Sequence, residues 1–162
     1  MTTNNNQPLM DALVSEWQQE SPDHDASPMA IVGRIIRLGR LYERDAKIAL
    51  KPYGLPYTDF DILATLKRSG SPYELTPGEL GNAVLLTSGA MTAALDRLET
   101  ANLISRHADL ADKRVKTAKL TRKGERLASK AATARFEVAA RAIEALKAGE
   151  KTTLTNLLRQ LD

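Results

Sequence analysis

The stretch LLTSGAMTAALDRLETANLI, residues 85–104, decides the fold of this chain. Thr87-Ser88-Gly89 opens it with hydroxyls able to accept from the free N–H groups of a first helical turn. Met91, Leu95 and Leu98 then recur at three- and four-residue spacing, which puts them on one face of a helix running to about Ala101. Asn102 can take the left-handed conformation that closes such a helix. Just upstream, Thr76-Pro77-Gly78-Glu79 has capping-box spacing with proline at the first helical position, so a helix of about ten residues starts there. Two short helices joined by a turn of about three residues make a helix-turn-helix.

Downstream, LISRH and VKTAKL are extended runs separated by ADLADKR, a hairpin with a charged tip. From Thr121 one long helix is expected to run until Gly149 breaks it, and Leu154, Leu157, Leu158 and Leu161 mark a last short one. Upstream, a polar start of about nine residues precedes a short amphipathic helix carrying Leu9, Leu13 and Trp17. Ser27-Pro28 opens a long helix with Ile31, Ile35, Leu38, Leu41 and Ile48 on its apolar side, ended by Pro52 and Gly54. A third helix starts at Thr58, whose hydroxyl is expected to cap it, with Asp61 at its N3 position, and ends at Gly70; SGSPYE is read as its exit loop. The fold class is therefore mainly α with a small β-hairpin wing: a winged helix-turn-helix between helical dimerisation arms. Residues 1–54 form the N-terminal extension and dimerisation helices, 55–124 the DNA-binding lobe, and 125–162 the C-terminal dimerisation helices. The arms carry more apolar surface than one small domain can cover, which implies a two-fold homodimer.

Charge is distributed unevenly. Residues 1–30 hold five acids and no Lys or Arg, whereas residues 103–130 hold nine bases against three acids. The second region is suited to a polyanion. With no cysteine, disulfides and thiolate zinc sites are excluded. Neither His24 nor His107 sits at metal-ligand spacing, and no cofactor is expected. No nucleophile elbow, HExxH, P-loop or dinucleotide fingerprint points to an enzyme. No apolar run is long enough to span a bilayer, and the start lacks a secretory signal, so a cytoplasmic protein with no membrane contact is expected, nucleoid-associated if the basic region does hold DNA.

The stretch from Gly54 to Gly124 resembles the MarR family (multiple-antibiotic-resistance regulators): GL-x4-FDILATL, LTPGELG, LLTSGAMTxxLDRLE, then DLADKR-x5-LTRKG. Asp112-x-Arg114 followed by Leu120-Thr121 and Gly124 is the most specific element. Trp17, the SPDHDASPM linker and PYELTPGEL are similar to the subfamily with an extra first helix, which includes urate-responsive regulators. The resemblance implies a ligand-responsive regulator, most often a repressor. Of the subfamily's four ligand-linked residues, the tryptophan falls on Trp17, the aspartate on Asp61 and the wing arginine on Arg106. The recognition-helix arginine falls on Ala94, a departure that argues against urate itself while leaving a pocket at the same place.

Residue by residue, the interface with double-stranded DNA is expected to use Thr87, Ser88, Gly89, Thr92, Ala93, Asp96 and Arg97 on the recognition helix, with Ala93 offering only a methyl. Lys113, Arg114 and Lys116 belong to the wing, where Arg114 is suited to the minor groove; Asp112 either pairs with it or caps the turn. In a dimer the two helices reach successive major grooves of a pseudo-palindromic operator. The effector is expected to be a small aromatic acid, phenolic or purine gripped by Arg106 and covered by Trp17, with Asp61 displaced by its charge. Each has a plainer alternative: Trp17 as a core aromatic, Arg106 as a phosphate contact, Asp61 as a helix-start carboxylate. An architectural DNA-binding protein with no effector is the alternative function.

Overall fold

The computed structural model describes residues 7–84, 86–108 and 116–161. Helices α1 (Gln7–Glu20), α2 (Ser27–Leu50), α3 (Tyr57–Arg68), α4 (Pro77–Ala83), α5 (Ser88–Thr100), α6 (Arg122–Ala142) and α7 (Ala148–Arg159) alternate with strands β1 (Glu74–Leu75), β2 (Ile104–Ala108) and β3 (Lys116–Leu120). Residues up to Arg44 and residues from Asp45 onward form two compact units, and α2 supplies residues to both.

In the first unit α1 lies against α2. The Arg34 guanidinium meets the Asp11 carboxylate at 2.6 Å, and a Cβ built on Gly33 would fall 2.9 Å from Met10 Sδ, so the absence of a side chain lets the helices close up. The turn into α2 is fixed by Asp25, whose carboxylate accepts from the Ser27 N–H at 2.9 Å. That hydrogen bond holds the Asp25 carboxyl below the ordinary carboxylate value. Ile31, Ile35 and Leu38 remain exposed.

The second unit is built around α3, which packs on α6, α4, α5 and β3. Its core comprises Leu50, Ile62, Leu63, Leu66, Leu80, Leu98 and Ile104, all fully buried. The expected start of α3 needs correction. The helix begins at Tyr57 after Pro56, with no side-chain cap, and the Thr58 hydroxyl donates to Asp59 Oδ1 at 3.3 Å instead. Asp59, not Asp61, therefore stands at the third helical position. Helix α4 matches its capping box: Thr76 Oγ1 accepts from the Glu79 N–H, and Glu79 accepts from the Thr76 N–H. It is seven residues long, shorter than expected.

Helix α5 is shaped by the two ends read from sequence. Thr87 accepts from the Ala90 N–H at 3.3 Å, and Asn102 takes φ 57. The Asn102 and Leu103 N–H groups then donate to the Glu99 and Leu98 carbonyls, a Schellman closure with buried Leu103 beside buried Leu98.

The sheet has strand order β1-β3-β2, all antiparallel, with Ile104 opposite Leu120 and Arg106 opposite Ala118. Strand β1 corrects the loop expected for SGSPYE. Gly70 and Tyr73, both with positive φ, turn the chain so that Glu74 and Leu75 pair with Lys119 and Ala118. Two residues are too few to show an alternating pattern. The wing neck is tight: the Leu103 carbonyl accepts from the Thr121 N–H at 3.0 Å and its hydroxyl at 3.2 Å. A Cβ on Gly124 would lie 1.9 Å from that carbonyl oxygen. The expected continuous helix to Gly149 is also corrected. Helix α6 stops at Ala142, followed by hydrogen bonds reaching back three residues, and Glu150 accepts from the Lys147 N–H to start α7, with Gly149 inside it. In this unit Ile48, Phe136, Leu157 and Leu161 are exposed.

Candidate nucleic-acid interface and ligand pocket

Met91, Ala94, Leu95 and Leu98 fasten α5 to the core, so its opposite face is presented outward. Thr87, Gly89, Thr92, Ala93, Asp96 and Arg97 are exposed, Ser88 begins the helix, and Lys116 is exposed at the start of β3. The wing residues Asp112, Lys113 and Arg114 lie outside the described residues. Ala94 is wholly buried, so the departure at that position concerns packing under α5 and not its exposed face.

Two charged side chains of α5 are engaged by its neighbours. Arg97 places Nε 3.2 Å from Asp59 Oδ2 and NH2 2.6 Å from Asp59 Oδ1, a fork on a carboxylate that is only 4% exposed. The hydrogen bonds to Asp59 push the guanidinium further above its already high value. Asp96 accepts from Arg106 NH2 at 2.6 Å, and the Arg106 backbone N–H donates to Glu99 Oε1 at 3.2 Å. Arg106 Nε is 3.4 Å from Glu99 Oε2, near enough for ion pairing though not aligned as a hydrogen bond. Arg106 thus fastens β2 to α5.

Asp61 points elsewhere, into a groove of about 600 Å³ between α3 and α6. Tyr57, Phe60, Ala64, Ala132 and Phe136 supply apolar wall, and Lys67, Arg68 and Arg135 supply positive charge. Burial raises the Asp61 pKa above the ordinary carboxylate value, and Arg68 and Arg135 pull it back only in part. Lys67 is committed to Glu125 at 2.7 Å, which raises its own pKa, and lies 4.4 Å above the Tyr73 ring. Arg135 lies 5.7 Å from the centre of the Tyr57 ring. The groove combines aromatic faces, a carboxyl group raised by burial, and guanidinium groups.

Arg106 is not among the residues lining this groove. Trp17 is half exposed in the first unit, where it lines a hollow of about 380 Å³ with Ser21, His24, Asp25, Ala26 and Met29. The structure thus joins Asp96 to Arg106 and places Asp61 at a different site. Asp59 and Arg135 were not singled out from sequence. A signal for Arg135 existed: Ala128, Ala132 and Ala139 share one side of α6 with it, a small-residue stripe that leaves room beside a charge. No sequence signal tied Asp59 to Arg97, 38 residues away.

Residues 53–115 match the MarR family. The HTH-type transcriptional regulator PecS of Dickeya dadantii is 33% identical over 150 residues, covering 93% of this chain and 90% of its own. A mutant MarR from E. coli complexed with operator DNA has a similar structure, with TM-score 0.71 and 24% identity over 90% of this chain and 96% of that one. BpsR of Bordetella bronchiseptica, whose DNA binding is regulated by 6-hydroxynicotinic acid, has TM-score 0.71 and 19% identity over 80% of this chain and 91% of that one. At those identities the two structures bear on fold: a mainly helical winged helix-turn-helix with a small antiparallel sheet.

Proposed function

This chain belongs to the MarR family of DNA-binding transcription regulators, and on that premise we propose that it is a homodimeric repressor released from a pseudo-palindromic operator by a small aromatic anion. The observation that carries the effector half is the groove beside Asp61. Its aromatic walls take the ring, and Arg135 with Arg68 takes the anionic group. A bound anion favours protonated or displaced Asp61, and Asp61 stands on the same helix as Asp59, which holds the recognition helix through Arg97. In this reading Arg106 serves the recognition helix and Arg135 takes over the ligand grip. The ring walls in this reading are Tyr57, Phe60 and Phe136 of the groove itself.

The DNA half rests on the exposed face of α5, whose first turns present a helix N-terminus, short side chains and hydroxyls that allow close approach to the groove floor. Half-sites about one helical turn, roughly 10 bp, apart are expected. The experiment selects duplexes from a random library with the wild-type protein, then titrates salicylate and 6-hydroxynicotinate into the complex while following anisotropy. Release by either supports the proposal. Tight complexes unmoved by aromatic acids, phenols and purines would favour an effector-independent architectural protein.

A further inference from the structure

We infer that Asp59 is a positioning residue that commits Arg97 to the DNA backbone and not to a base. The inference rests on the DNA-binding reading of α5 and adds the task of one side chain to it. Both Asp59 oxygens are taken by one guanidinium through Nε and NH2, a side-on fork. NH1 has no partner among the described residues, and 51% of the Arg97 side chain remains accessible to solvent. One partner of the pair is therefore buried and fixed by α3, while the other can still reach outward. Because it is held on one side, the guanidinium loses less rotamer freedom when its open edge meets an oxygen.

Position along α5 decides which oxygen that is. In a helix-turn-helix the N-terminal residues of the recognition helix meet base edges. Here those are Gly89, Thr92 and Ala93, whereas Arg97 stands in the third turn. A residue that far along, on the outward face and tethered back towards α3, faces the phosphates that flank the groove. Asp59 thus sets register and affinity on the duplex, and the short side chains before it are left to discriminate sequence.

The test uses the full chain and two labelled duplexes: one enriched by the wild-type protein from a random library, and one changed at a single enriched base pair in each half-site. Arg97→Gln should weaken binding about tenfold and flatten the slope of log K against log salt by about one, with the ratio between duplexes unchanged. Arg97→Lys, which keeps the charge without the fork, should keep the slope and lose affinity. Asp59→Asn should weaken binding several-fold alone and cost nothing further in an Arg97→Gln background. An equal loss in both backgrounds would overturn the inference, because Asp59 would then act through the fold at large. So would a changed duplex ratio in Arg97→Gln, the mark of a base reader. If Asp59→Asn does not fold, Asp59→Ser takes its place in the same cycle: a loss that vanishes in the Arg97→Gln background supports the inference, and an equal loss in both overturns it. A wild-type protein that enriches no duplex refutes the DNA reading itself, and with it the inference, before any variant is compared.

Discussion

Arg106 NH2 and Asp96 Oδ1 lie 2.6 Å apart, so the first strand of the wing is ion-paired to the exposed face of the recognition helix. The Asp96 side chain is 60% exposed and that of Arg106 22%, which leaves the pair partly screened. A double-mutant cycle with Arg106→Ala and Asp96→Ala in urea should give a coupling of about 0.5–1 kcal/mol at low salt, shrinking in 1 M salt. Calorimetry with salicylate should find Arg106→Ala close to the parent and Arg135→Ala severely weakened. The reverse order would return the ligand grip to the wing arginine.

Asp61 makes stability depend on pH in a direction opposite to a paired carboxylate. Burial raises its folded pKa above the unfolded value of about 4. The native state holds the proton more tightly than the unfolded chain, so the contribution of Asp61 falls as pH rises through that window. Asp61→Asn removes the buried charge and should melt above the parent at neutral pH. The difference should close towards about pH 3.5, where Asp61 is mostly protonated in both states. A gap independent of pH would mean that the amide acts by packing.

Gly124 marks the strictest steric limit in the wing neck. Its φ lies outside the left-handed region; what excludes a side chain there is the Leu103 carbonyl oxygen, 1.9 Å from any Cβ. That oxygen is backbone and is already fixed by two donors from Thr121. Gly124→Ala should cost about 3 kcal/mol or more by chemical denaturation, or leave the protein insoluble. A loss below about 0.5 kcal/mol would show that the neck can open.

The exposed apolar residues of α2, α6 and α7 predict self-association. Ile31, Phe136 and Leu157 are all more than half exposed, in excess of what a lone small domain usually presents. Sedimentation should find a dimer. Leu157→Glu should shift it to monomer and abolish binding to paired half-sites while sparing the second unit's fold, since Leu157 lies outside the buried core. A wild-type monomer at micromolar concentration would overturn the two-fold reading.

Much of the architecture was legible because it is written in local chemistry. The Thr76–Glu79 capping box, the Thr87 cap and left-handed Asn102 each fix an end with residues adjacent in sequence. The elements misread depend on distant partners. Strand β1 exists because β3 supplies its ladder, and α3 starts where Pro56 lets it, without a side-chain signal. The same division holds for the candidate site. The outward face of α5 followed from periodicity, but the engagement of Arg97 by Asp59 spans 38 residues, and no spacing rule could foretell it.

The Leu103 carbonyl has a consequence for how this protein can vary. The recognition helix ends beside it, β2 leaves from it, Thr121 returns to it from β3, and α6 begins against it through Gly124. Everything between Ile104 and Leu120 therefore enters and leaves the body of the protein at one closed junction. Exchanges within β2 and β3 still reach the core, where Ile104, Ala118 and Leu120 are buried and β1 pairs with β3, but the ends of both strands are held at that one junction. A wing transplanted from a relative must therefore bring matching core residues at 104, 118 and 120, whereas a single insertion at the junction itself would shift the recognition helix, both strands and α6 together.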